Sequence, residues 1–219
     1  LHFTDPHFRK DIFEIISFEA NRLGADVCIS GDFIDLRNTE TSIEEQVDWV
    51  RTWFKSQKFR LFLCSGNHDE LLGTDLAGWV AELHDGKKIV TDGQSGLSKS
   101  GAKIYCMEFG AYAADRDITE AIAGADIIVT HLSPRGTRTS TNEFMEDWGD
   151  EMLRVVVDAF PRAKRQLILC GHVHKPRAQV DRIGKVTIAN PGFPQNGRLT
   201  FGMIGRVTHA LTKVPVRLA

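Results

Sequence analysis

Five short segments of this 219-residue chain run as apolar strands and then break into a turn that presents Asp, Asn or His. LFLC leads into Ser65-Gly66-Asn67-His68-Asp69, and VCIS leads into Gly31-Asp32-Phe33-Ile34-Asp35. IIVT ends at His131, LILC at Gly171-His172-Val173-His174, and residues 1–4 at Asp5-Pro6-His7. A brief apolar run bounded by glycine is the mark of a strand buried on both faces. Helical spacing fills the gaps between these runs, so the expected class is α/β. In such folds the loops at the carboxyl ends of strands carry the chemistry.

Taken in order, residues 8–23 place Ile12, Ile15, Ile16 and Leu23 on one face, with Gly24 as the helix stop. Residues 43–54 form a second amphipathic helix with Val47, Val50 and Phe54 inward. A short helix is expected at 76–83, strands around Ile89-Val90 and 104–107, and a hairpin turn at Ser100-Gly101. Residues 118–123 read as a helix and 126–130 as a strand. A polar loop at 132–142 carries Arg135 and Arg138, and a long helix is expected over 144–160. After the strand at 166–170, residues 178–180, 186–189 and 199–204 read as antiparallel strands. No linker or repeat divides the chain, so one domain over 1–219, without a separate capping domain, is expected.

A net charge of −2 gives no global argument for nucleic acid or an anionic membrane. The basic residues are unevenly spread, however. From Arg182 onward there is no Asp or Glu, while Arg182, Lys185, Arg198, Arg206, Lys213 and Arg217 all fall there. Such a run reads either as a solvated strand edge or as a phosphate-attracting rim. Cys28, Cys64, Cys106 and Cys170 sit inside apolar strands with no CxxC pair, which suits buried, reduced thiols. No apolar run is long enough to span a bilayer and no signal-peptide pattern is visible, so the expected location is the cytoplasm.

Five of the eight histidines stand at or just beyond strand ends: His7, His68, His131, His172 and His174. Asp5, Asp32 and Asn67 occupy equivalent places. A lone His is usually a satisfied core or surface residue; this clustering points to a metal centre instead. Imidazole, carboxylate and carboxamide donors without thiolate suit Mn, Fe, Co, Ni or Zn. The ligands are too many for one tetrahedral ion, and two ions sharing a carboxylate would use them all. Such a pair holds a hydroxide and clamps both oxygens of a phosphoryl transfer. His2, His84 and His209 stay outside this set.

In order, DPH, GDFID, GNHD, VTH and GHVH resemble the motifs of the calcineurin-like metallophosphoesterases, and Asn190-Pro191-Gly192 is similar to that family's C-terminal strand turn. The resemblance implies a four-layer αββα sandwich of two mixed sheets with helices outside and two divalent ions at one end. Manganese is the expected ion, with Fe, Zn, Ni or Co as alternatives. It further implies one metal on Asp5, His7, Asp32 and His174, and a second on Asp32, Asn67, His131 and His172. His68 would protonate the leaving oxygen, Asp69 would orient its imidazole, and Asp35 would support the turn. The attack would come from a metal-bridging hydroxide.

The implied function is hydrolysis of phosphodiesters or phosphomonoesters of small molecules, with no membrane partner. A nuclease is the alternative, with Arg135, Arg138 and the basic C-terminal segment lining a nucleotide path. A non-catalytic scaffold is a third reading, disfavoured because every ligand type and His68 are intact.

Overall fold

The computed structural model describes residues 1–159, 165–194, 198–204 and 209–215. In chain order the strands are β1 (His2–Phe3), β2 (Val27–Ser30), β3 (Leu61–Cys64), β4 (Ile89–Val90), β5 (Ser95–Leu97) and β6 (Lys103–Cys106). They continue as β7 (Ile127–Val129), β8 (Gln166–Leu169), β9 (Val180–Ile183), β10 (Val186–Ala189), β11 (Arg198–Ile204) and β12 (His209–Pro215). The helices are α1 (Lys10–Leu23), α2 (Ile43–Ser56), α3 (Arg116–Gly124) and α4 (Glu151–Ala159).

Two mixed sheets result, ordered β12-β11-β1-β2-β3-β4 and β5-β6-β7-β8-β10-β9. In the first, β1 to β4 run parallel, and β11 closes on β1 antiparallel with Gly202 opposite His2. In the second, β6, β7, β8 and β10 run parallel between antiparallel edges.

The twofold alternation of strand side chains explains the layering. On β2 and β3, Val27, Ile29, Leu61 and Leu63 pack with the apolar faces of α1 and α2. Their neighbours Cys28, Phe62 and Cys64 face the other way, onto Ile104, Cys106 and Val129 of the second sheet. That sheet turns Tyr105, Ile128 and Ile168 outward onto α3 and α4. Burying each such aliphatic or aromatic side chain stabilises the fold by about 1.5–3 kcal/mol. The four layers are therefore helix, sheet, sheet, helix, as expected. All four cysteines are buried and free.

Local signals set the helix limits. Gly24 stops α1 with φ 59°, its N–H reaching Ala20 and Asn21 carbonyls. Ser42 and Glu45 form a reciprocal capping box at the start of α2.

Three expectations need correction. Residues 76–83 hold only a 3-10 turn, Ala81–Leu83. The helix expected over 144–160 begins at Glu151, and Phe160 lies outside the described residues. Residues 133–150 instead fold back on themselves through Arg135 N to Asp150 O (2.9 Å), Asp150 N to Ser133 O (2.8 Å) and Trp148 N to Ser140 O (3.0 Å). Gly149 permits this contact, since a Cβ there would lie 2.5 Å from Arg135 Cα. Finally, β9 and β10 pair antiparallel as expected, but β10 is parallel to β8, because the β9–β10 hairpin reverses direction before β10 docks. The β12 strand has no counterpart among the expected elements. Among the described residues no helix is long and apolar enough to cross a membrane.

Candidate metal centre

The loops after β1, β2, β3, β7 and β8 meet at one end of the sandwich. Asp5, His7, Asp32 and His172 all have positive φ, between 43° and 65°. Each left-handed non-glycine residue costs about 1–3 kcal/mol, and such strain persists only where surrounding structure enforces it. Here Asp5 N bonds Gly31 O (3.2 Å) and His7 N bonds Asp32 O (2.9 Å), locking the first two loops side by side. Glycine is required by crowding as well. A Cβ on Gly171 would overlap Thr4 Oγ1, and one on Gly66 would overlap Asp32 Oδ1.

Two groups of donor atoms converge. In the first, one donor atom each from Asp5, His7, Asp32 and His174 lies within 4.8 Å of the others. His7 Nε2 is 3.0 Å from His174 Nε2 and 3.6 Å from Asp32 Oδ2, and His174 Nε2 is 3.7 Å from Asp5 Oδ1. In the second, Asn67 Oδ1 stands 2.9 Å from both His131 Nε2 and His172 Nδ1, which are 3.2 Å apart. His131 Nε2 is also 3.5 Å from Asp32 Oδ1. Asp32 thus offers one oxygen to each group.

This donor set fits divalent ions. Ligand atoms about 2.1 Å from a shared ion and at right angles lie about 3 Å from one another. His131 Nδ1 faces Ser30 O at 2.8 Å and so carries the proton, which leaves Nε2 as a bare lone pair aimed at the Asn67 oxygen. Two acceptors in contact call for a cation between them. Electrostatics agree. Burial, then the neighbouring imidazoles, lower His172 to about 3 and His174 to about 4, and His7 and His131 also fall with burial, so these nitrogens are unprotonated near neutrality and free to bind a cation. Burial raises Asp5 and Asp32, a cost that a bound cation offsets.

His68 and Asp69 sit beside the ligands, but not as a pair. Both oxygens of Asp69 accept backbone N–H groups, from Phe33 (2.9 Å) and Ile34 (3.2 Å) at one and Gly66 (2.9 Å) at the other. The expectation that Asp69 orients the His68 ring gives way to a different contact. His68 Nδ1 accepts from Leu36 N at 3.1 Å and faces Asp35 Oδ1 at 3.7 Å. With Nδ1 accepting, the ring proton of the neutral form belongs on Nε2. Asp69 instead staples the GDFID and GNHD loops together.

A cavity of about 390 Å³ opens over Asp32, Asn67, His68, His172 and His174. Its rim includes Arg37, Lys175, Phe144 and Trp148, none of which belongs to a sequence motif. Phe144 and Trp148 are 75% and 55% exposed, and Trp148 meets His172 edge-on at 6.2 Å between ring centres. Arg135 pairs with Glu151 at 3.5 Å, and Arg138 donates its N–H to Asp181 at 2.7 Å; neither lines this cavity. Arg206 and Arg217 lie outside the described residues.

The crystal structure of TT1561 of Thermus thermophilus superimposes with a TM-score of 0.67 over 99% of this chain and 98% of that one, at 11% identity. That likeness speaks for the fold alone. No curated protein matches the sequence. The calcineurin-like phosphoesterase superfamily domain matches residues 1–208, which include every donor residue described above. The chain belongs to the calcineurin-like phosphoesterase superfamily.

Proposed function

We propose that the protein hydrolyses phosphate esters of small molecules with two divalent ions held by Asp5, His7, Asp32, Asn67, His131, His172 and His174. Family membership supports metal-dependent phosphoester hydrolysis in general. The observation carrying the finer reading is the convergence of seven donor side chains on two adjacent points with one Asp32 oxygen directed to each. When bound, the ions supply a nucleophile at neutral pH and positive charge against the phosphoryl oxygens.

The chain's own residues do the rest. Backbone N–H groups fix the ligand loops, and His131 is turned by Ser30 O. His68 lines the cavity with its Nδ1 engaged by Leu36, and its remaining ring proton, on Nε2, donates a hydrogen bond that stabilises charge on the leaving oxygen. Arg37 and Lys175 draw the anionic ester to the cavity mouth. The test is hydrolysis of bis-p-nitrophenyl phosphate and p-nitrophenyl phosphate by metal-stripped protein reloaded with Mn²⁺. Turnover that needs metal supports the reading, and the preferred substrate separates phosphodiesterase from phosphatase. Bound metal without turnover of either ester would move the scaffold reading forward.

A further inference from the structure

A second concavity, of about 740 Å³, adjoins the metal centre. One stretch of chain lines both. His172 to Lys175 face the first cavity, while Pro176, Arg177, Ala178 and Gln179 face the second. Phe193 completes the partition: its ring stacks on the metal-site residue His174, 4.8 Å between centres at 22°, and also lines the second cavity. This wall is preformed. Phe193 N bonds His174 O (3.0 Å), Arg177 N bonds Thr141 O (2.9 Å), and Asn142 pairs with Pro176 in an isolated bridge.

The opposite wall is the β11–β12 ribbon. Residues two apart on a strand share a face, as do register partners across a pair. Arg198 and Thr200 are two apart, and Lys213 stands opposite Thr200. All three line the cavity, and with Arg177 they supply three cations against no acidic lining residue. Among the described residues no ion pair involves Arg177, Arg198 or Lys213. The sequence explains why the charge goes uncompensated: no Asp or Glu occurs anywhere from residue 183 to 219. A solvated basic edge would scatter its charges outward. Here they converge on a hollow one aromatic ring away from a metal-site histidine.

We propose that this hollow is an anion subsite, holding a second, non-reacting phosphate of the substrate whose reacting phosphate lies beside His68. The proposal rests on the phosphoesterase reading and narrows it to substrates with at least two phosphate groups. Arginine forks and a lysine ammonium suit that ligand through charge-assisted hydrogen bonds. The phosphates belong either to an oligonucleotide strand or to a small polyphosphate.

The probe is a fluorescein-labelled, phosphorothioate-linked hexathymidylate, read by anisotropy against the Mn²⁺-loaded full chain. Arg177→Ala, Arg198→Ala and Lys213→Ala should each weaken binding about tenfold. Each should also lower the log–log salt slope by about 0.7, the single-strand value per phosphate contact. Arg116→Ala, which removes an exposed α3 cation lining neither cavity, is the control for unspecific charge. Displacement of the probe by inorganic tripolyphosphate would identify a small polyphosphate as the ligand, and resistance to it an oligonucleotide. The subsite is overturned if the three variants bind like Arg116→Ala. Bis-p-nitrophenyl phosphate carries one phosphate, so its hydrolysis reports on the metal centre alone. Failure on both this diester and p-nitrophenyl phosphate, with specific probe binding intact, would overturn the phosphoesterase reading and leave an anion site.

Discussion

The floor and the rim of the metal-site cavity are built on opposite principles. On the floor, Asp5 and His131 are 0% exposed, and backbone hydrogen bonds and strained turns fix the ligand loops. On the rim, Phe144, Trp148, Arg37 and Lys175 stand in solvent, carried by loops rather than strand ends. A fixed floor suits the proposed metal ligation, which tolerates little error in donor position. The rim is open to whatever enters the cavity. On the proposed function, the contrast assigns chemistry and selectivity to separate layers, which should fail separately.

The largest effect is expected on the floor. Asp32→Ala removes the carboxylate that both donor groups share, so both ions should be lost by metal analysis and turnover should fall to background. Retention of one tightly bound ion would break the shared-carboxylate geometry. His68→Ala should keep its metal and slow kcat by about 10²–10³-fold, the usual worth of one hydrogen-bond donor to a developing oxyanion. A metal-free His68→Ala protein would assign that residue to the ligand floor instead. At the rim, Arg37→Ala should raise KM about tenfold with kcat little changed. An equal fall in kcat would place the guanidinium in the reacting layer.

The smallest effect lies beneath the floor. Asp92 accepts from Ser65 N at 2.8 Å, and its burial raises it from 3.8 to about 7. An acid raised on folding stabilises the protein most when protonated, and that stability is lost as pH rises through the folded value. The Tm of Asp92→Asn minus that of the wild type should therefore climb between about pH 4 and 7 and level off above. A difference independent of pH would show that this carboxyl does not titrate in the fold.

The floor was legible in the sequence because strand, glycine and ligand occur together in one short string. Crowding enforces the glycine, as at Gly66 and Gly171, so the string records a three-dimensional constraint. The rim was not legible. Phe144, Met145 and Trp148 have the spacing of an amphipathic helix, and apolar periodicity does not distinguish a core face from a cavity wall. Asp69 misleads for a related reason. Its place beside His68 in the sequence suggests a pair, yet its carboxylate turns away to the backbone of the neighbouring loop. Arg37 carries no signal beyond lying two residues after Asp35.

The position of β1 has a consequence for the chain during its own synthesis. This two-residue strand, which feeds Asp5 and His7 into the site, lies inside its sheet with Cys28 on one side and Gly202 on the other. A ribosome delivers residues in order at about 5–20 per second. Until residues near 202 emerge, one side of β1 stays an open edge, able to recruit a foreign strand. His172 and His174 also arrive late. The nascent protein therefore exposes its Asp5–His7 loop long before His172 and His174 can close the site, and on the proposed ligand set metal capture would mark the end of folding rather than its start.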